Sequence, residues 1–300
     1  MTTDIPRVTG LLVIEVRNSN PNGDPDRESD PRTRAHDGRG VISDVSYKRK
    51  LRELVLKKNG PVWEHLATKL SLPADEFGIH VDQETRDREK AAKGEKKKSL
   101  SRGHWDVRVF GSTSLEEGDN FIRTGVAQFS IAVSAAKVRI QRDTNTVKAN
   151  VDVSKNADRG MAPLGFRVVE HGVYAMPFLI NPTSAEKSGC KIRDIELLCR
   201  LIPYAYAHNA SRIRPLVEVR HAWYFRHESQ LGSCSDFAII DALTPTKANP
   251  EEPSTSWEEY GYDGATLLAT LRQKFAGKFK HFGDLTDPAF PDEVFGSPSA

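Results

Sequence analysis

Leu11-Leu12-Val13-Ile14-Glu15-Val16-Arg17 runs directly into Asn18-Ser19-Asn20-Pro21-Asn22-Gly23-Asp24-Pro25. The first seven residues are mostly aliphatic, rich in β-branched side chains, and bounded by Gly10 and Asn18, the pattern of a buried strand. From Asn18 to Gly40, Pro21, Pro25, Pro31 and three glycines exclude a long helix. Over twenty residues of loop between two ordered elements is uncommon in a compact domain, and such loops tend to carry function. A helix is expected next. Ser43 suits its N-cap and Asp44 its first turn. Tyr47, Leu51, Leu54 and Val55 form one apolar stripe, with Lys48, Arg49, Lys50 and Arg52 off it. Asn59-Gly60-Pro61 ends the helix.

Outward from this unit, a short helix around Val62 to Leu70 buries Trp63, Leu66 and Leu70. A polar insertion follows over 71–104. Trp105 to Phe110 and Gly125 to Ser134 read as strands, the latter with Phe129, Ile131 and Val133 on one face. Ala136 to Arg167 has few large apolar residues and seven basic ones (Lys137, Arg139, Arg142, Lys148, Lys155, Arg159, Arg167) against three acidic. It reads as an extended, partly flexible hairpin projecting from the body. Val168 to Ile180 resumes as a strand, Lys191 to about Ala207 as a helix ending near Pro203, and Leu216 to Phe225 as a strand. In that last strand Val217, Val219, His221, Trp223 and Phe225 share a face. An acidic loop (245–264), a helix (265–280) and a flexible tail (285–300) complete the chain. Strand, loop, helix, strand, strand, helix, strand is the order of a ferredoxin-like or RRM-like sheet, so the expected class is α+β in one domain over 1–300.

Composition narrows the function. The chain has 300 residues, 38% of them hydrophobic, enough for a sizeable core. Forty-three Lys plus Arg against 41 Asp plus Glu give +2, which excludes a polybasic protein; any nucleic-acid argument rests on local charge. No apolar run approaches the ~20 residues of a membrane span. The N-terminus has no signal-peptide pattern. Cys190, Cys199 and Cys234, without metal spacing, read as reduced thiols of a cytoplasmic protein.

Asn18-x-Asn20-x-Asn22-Gly23 imitates the start of a calcium loop, but Ser29 stands where a bidentate Glu belongs, so no metal is expected. Asp24, Asp26 and Asp30 are the candidates for a metal-dependent ribonuclease, yet no His or Lys at fixed spacing completes the set. Nucleotide-binding, zinc-protease and serine-hydrolase motifs are missing from the sequence, and no cofactor is expected. His171, His221 and His227 read as structural. There remains Ser43 and Ser46 at a helix N-terminus beside Lys48, Arg49 and Arg52. These residues fit either a capped helix with solvated charges or a phosphate site. The basic 137–167 segment, able to follow a strand, favours a nucleic-acid backbone as ligand.

Asn20-Pro21-Asn22-Gly23-Asp24-Pro25, Val45-Ser46-Tyr47-Lys48-Arg49-Lys50-Leu51-Arg52, Asp106-Val107-Arg108-Val109-Phe110-Gly111 and His227-Glu228-Ser229-x-Leu231-Gly232 occur in this order. Together they resemble the backbone subunit of type I CRISPR surveillance complexes (Cascade), the Csd/Csh branch (types I-C and I-B) of the Cas-seven family. The resemblance implies an RRM-like palm with a β-hairpin thumb. It implies copies lined head to tail along one CRISPR RNA, which pairs with a target DNA strand, and contacts with other Cascade subunits. It places guide contacts at Ser43, Ser46, Lys48, Arg49 and Arg52, with Asn18, Asn20, Asn22 and Gly23 in the adjoining loop. Arg139, Arg142, Lys148, Lys155, Arg159 and Arg167 fall in the segment that takes the place of the thumb. The aromatic sheet motif of an ordinary RRM is missing, so binding would rest on backbone and shape while pairing reads sequence. A non-enzyme is implied, since type I complexes leave cutting to a separate nuclease. A stand-alone single-stranded RNA-binding protein is the neighbouring alternative.

Overall fold

The computed structural model describes residues 5–80, 103–114, 121–148 and 161–296. In chain order its elements are β1 (Val8–Ser19), β2 (Gly23–Asp24), β3 (Asp30–Pro31), β4 (Arg39–Ile42), α1 (Asp44–Leu56), α2 (Pro61–Leu70), α3 (Trp105–Phe110), β5 (Gly111–Ser114) and β6 (Phe121–Thr124). Then come β7 (Ala127–Phe129), β8 (Ala132–Lys137), β9 (Ile140–Lys148), β10 (Met161–Ile180), α4 (Ala185–Ser188), α5 (Ile192–Leu201), β11 (Val217–His227), α6 (Asp236–Leu243), α7 (Gly264–Lys274), β12 (Phe279–Asp284) and α8 (Phe290–Phe295).

The chain is a mixed α/β protein built on one large antiparallel sheet. Its strand order is β12-β11-β1-β10-β8-β4, with β7 and β9 also paired to β10. Both faces of β1 are covered, which is why its sequence is a continuous apolar run rather than an alternation. Leu12, Ile14 and Val16 join a core with α1, α2, α5 and α8. Leu11 and Val13 point the other way, into a second core with α6 and α7. β10 is the longest strand. Its second half pairs with β1 from Val169 to Ile180, while Met161 to Val169 pairs with β9. The β9–β10 ribbon therefore runs past the end of β1.

Several sequence expectations are corrected. The Asn18–Gly40 loop is ordered. It holds the small β2–β3 hairpin, a 3-10 turn and β4. Trp105–Phe110 is a helix, because all six of its residues are buried and hydrogen bonds from opposite sides claim Asp106 and Arg108. Over six residues buried all round, alternation cannot distinguish the two periods. The Gly125–Ser134 strand is broken at Ser130, and the face inverts. Phe129 and Ala132 are buried whereas Ile131 is 53% exposed. A one-residue shift in a period of two moves every later side chain to the other face. β11 likewise bulges at Arg220, so Val217 and Val219 face the first core and Trp223 and Phe225 the second. Residues 279–284 form an edge strand rather than a helix end. The expected tail is packed as far as α8, where Phe290 and Val294 are buried. The 81–102 part of the polar insertion lies outside the described residues.

Candidate nucleic-acid interface

α1 starts where the sequence places it. Ser43 is its N-cap, and the hydroxyl accepts from Ser46 N at 3.2 Å. The loop holds this end from outside, since Asn22 Oδ1 accepts from Ser43 N at 2.8 Å. Asn20 is a buried strut, donating Nδ2 to Ser29 O at 2.8 Å and to Arg167 O at 3.1 Å. Arg214, which sequence reasoning missed, donates Nε to Asn20 O at 2.8 Å. Two of the asparagines thus build the loop rather than face solvent. Asn18 is exposed, with a φ of 40° that asparagine tolerates better than most residues. Gly23 pairs with Pro31 in the β2–β3 hairpin.

The base of the β9–β10 ribbon meets the loop at Asp30. Arg142 grips this carboxylate with Nε at 3.0 Å and Nη2 at 2.7 Å, and Arg167 adds Nη1 at 3.2 Å. The hydrogen bond from Arg142, resisted by desolvation, holds the Asp30 carboxyl below its ordinary range. Arg167 also pairs with Glu28. The loop and helix N-terminus, already read together from sequence, are therefore one assembly with the ribbon base. Asp30, a metal-ligand candidate in the ribonuclease alternative, is committed to two guanidiniums, and Asp24 caps the 3-10 turn. No group of three His, Cys, Asp or Glu side chains among the described residues could hold a metal ion.

The cations of α1 divide. Arg49 points outward, its side chain 76% exposed, against Glu53 at 2.9 Å. Lys48 lies along the helix to Asp44 at 2.9 Å. Arg52 turns inward: its side chain is 15% exposed, and Nε donates to Asp106 at 3.0 Å. Lys50, expected off the apolar stripe, is buried and pairs with Glu53. On the ribbon, Arg139 and Arg142 have side chains 60% and 56% exposed. Lys148 stands on β9 across from Met161. Lys155 and Arg159 lie outside the described residues. Exposed pairs such as Arg49–Glu53 contribute about 0–1 kcal/mol, so the guanidinium can exchange its partner for a phosphate at little cost.

The other quoted motifs hold the body together. Arg108 pairs with Asp194 through Nε at 3.0 Å and Nη2 at 2.7 Å, both side chains buried. His227 lies against Thr9 Oγ1 at 2.9 Å and Ser233 Oγ at 3.0 Å.

A family model described as "CRISPR-associated protein Cas7" matches residues 6–264. The chain belongs to the Cas7 family. A Cas7 relative named "CRISPR-associated protein Cas7", from Haloferax volcanii, is 25% identical over 219 residues, covering 65% of this chain and 63% of the relative. The chain thus matches less than two thirds of that relative's length. Two solved structures are similar at TM-scores of 0.48 and 0.47. The first, "CRISPR RNA-guided surveillance complex, pre-nicking", is 16% identical, covering 90% of this chain and 89% of that one. The second, "CRISPR RNA-guided surveillance complex", is 14% identical, covering 95% and 98%. In this Cas7 family member no helix among the described residues is long and apolar enough to cross a membrane.

One further constellation resembles catalytic machinery. Glu15 Oε1 lies 3.2 Å from His171 Nε2, and His171 Nδ1 lies 2.8 Å from Ser254 Oγ. Tyr260 donates to the same Ser254 Oγ at 2.9 Å. Ser254 is 3% and His171 4% exposed, so a substrate carbonyl cannot reach the hydroxyl. The network fastens the 245–263 loop to the sheet.

Proposed function

We propose that this protein is a CRISPR RNA-binding backbone subunit of a type I Cascade complex, with no catalytic role of its own. Family membership supports the setting. The observation that carries the reading is the junction of α1's capped N-terminus, the Asn20–Asp24 loop and the cationic base of the β9–β10 ribbon. Helix-terminal amides, serine hydroxyls and displaceable guanidiniums suit successive phosphates of a single strand. The exposed Arg49, Arg139 and Arg142 are its phosphate contacts, whereas Lys48, Arg52, Asn20 and Asn22, paired within the fold, position them.

The strand order β11-β1-β10-β8, with α1 and α5 on one face, supports an RRM-like palm. The β9–β10 ribbon running past β1 supports a thumb. Copies of the subunit join head to tail along the guide, beside other Cascade subunits, and present it to a target DNA strand. Such a heterologous contact does not close on itself, so RNA length sets the length of the row. The buried Ser254 and the committed Asp30 support a non-catalytic subunit.

Native mass spectrometry over single-stranded RNAs of increasing length tests the reading: bound protein should rise stepwise. A fixed stoichiometry at every length would favour a stand-alone RNA-binding protein. Magnesium-dependent RNA cleavage by the purified protein, lost in Asp30→Asn, would favour the ribonuclease.

A further inference from the structure

Leu231 and Phe237, 96% and 76% exposed, are the two most exposed large apolar side chains among the described residues, and both lie in the segment that follows β11. Apolar residues scattered singly over a surface are ordinary, but these two are displayed by a segment that is held fast. His227, the last residue of β11, lies 3.0 Å through Nδ1 from Ser233 Oγ and accepts from Ser233 N at 3.1 Å. Gln230 Nε2 donates to Ile5 O at 3.1 Å, and Leu231 N donates to Ser229 Oγ at 3.1 Å. Gly232 turns the chain with a φ of 95°, a conformation that glycine adopts without strain. Asp236 pairs with Arg7. The last of the four sequence motifs, His227 to Gly232, is thus a pinned loop with its leucine left outside.

A cavity of about 380 Å³ opens toward the other end of the same sheet. β11 is second from one end of the strand order and β8 second from the other. Val133 and Ala135 of β8 and Ala175 and Pro177 of β10 line the cavity, together with the 244–250 segment after α6. Ile131, 53% exposed, belongs to the same lining. Two cations complete it. Lys247 is spent on Glu259 at 3.2 Å and on Asn249 O at 3.1 Å. Arg39 faces only Asp37, at 3.7 Å, too far for a hydrogen bond, and Arg34 already holds that carboxylate. The Arg39 guanidinium is therefore open to a further anion. We propose that Leu231 of one copy of this chain docks in the cavity of the next, with the exposed Glu228 reaching Arg39. An apolar side chain meets an apolar hole, and an acid three residues away meets the cation that has unspent donors. The pinned loop loses little freedom on docking, which favours the contact. Knob and hole are different patches, so the contact is heterologous and extends into a row. The inference rests on the head-to-tail reading and names the surfaces that join.

The test uses the full chain in native mass spectrometry, on RNAs long enough for one copy or for several. Leu231→Asp spoils the knob and Ile131→Asp the hole. Both positions are exposed, so both variants should keep the parent's urea midpoint. Each should bind the short RNA as the parent does, yet fill the long one with cooperativity between neighbours reduced about tenfold or more, the scale of an apolar anchor. Mixing the two variants leaves one intact knob facing one intact hole, so pairs should return while longer rows do not. Glu228→Arg and Arg39→Glu together should recover part of what each loses alone. Parent-like filling by Leu231→Asp, or no pairs from the mixture, would overturn the docking. A parent that binds no RNA would refute the RNA reading alone. Sedimentation of the concentrated RNA-free proteins would then decide: the mixture should sediment faster than either variant, and equal sedimentation would overturn the proposal.

Discussion

Arg52 sits among residues matched to guide contacts, yet its geometry makes it an internal anchor, and the Arg52→Ala variant separates the two roles. Asp106 is fully buried and accepts from Arg52 Nε at 3.0 Å and from His80 N at 2.8 Å. Removing the guanidinium leaves a buried carboxylate with its backbone donor and little else. Breaking a buried ion pair from one side costs about 3–5 kcal/mol. The Arg52 side chain is 15% exposed, so water reaches part of the gap and the lower end, about 3 kcal/mol, applies. The guanidinium also lies 5.0 Å from the Phe110 ring centroid, worth roughly another 0.5–1 kcal/mol. Urea unfolding should therefore show a loss of about 3–4 kcal/mol, with little change in m. Adding Asp106→Asn should recover much of that loss, because an amide oxygen still accepts from His80 N and no charge is stranded. RNA titrations on the folded variant should keep their salt slope. An unchanged urea midpoint with weakened RNA binding would refute the assignment and make Arg52 a phosphate contact.

Arg49→Ala should weaken every RNA sequence alike and reduce the salt slope by about 0.7, the value for one phosphate contact on a single strand; a loss confined to one sequence would contradict this. Asp30→Asn frees Arg142 and Arg167 from a competing carboxylate, so RNA binding at low salt should tighten by up to about fivefold in filter binding, on the scale of an exposed ion pair. Glu15 should govern part of the acid unfolding. Desolvation raises its pKa, but hydrogen bonds from His171 and Arg17 and the nearby Arg17 and Arg220 charges outweigh it, taking the group from 4.5 to about 2. A depressed carboxylate stabilises fully above its unfolded pKa and loses that contribution as pH falls through the folded one. About 3 kcal/mol should vanish between pH 4.5 and 2, and Glu15→Gln should flatten that limb of the stability curve. Gly125→Ala should cost about 3 kcal/mol or more in thermal unfolding, since the new Cβ would lie 2.2 Å from Phe110 C and backbone cannot yield as a side chain can.

Local chemistry determined a good part of this protein from sequence alone. β1 is legible because a strand buried on both faces must be apolar at every position. The start of α1 is legible because Ser43 answers orphan amides within one turn. The basic excess of 137–167 needs no tertiary contact to be seen. Tertiary structure decided what depends on partners distant in the chain. Trp105–Phe110 coils because Arg52 and Asp194 claim its charged residues, and neither partner lies near it in sequence. The break at Ser130 and the bulge at Arg220 reverse faces through one-residue register changes that composition does not encode. The contacts of Asn20, Asn22, Asp30 and Arg52 depend on tertiary structure in the same way. A polar residue in a loop or on a helix reads as exposed until its partner is known, and here those partners lie 9 to 147 residues away. Sequence marked which residues could meet a phosphate, and packing chose which of them are spent holding the others in place.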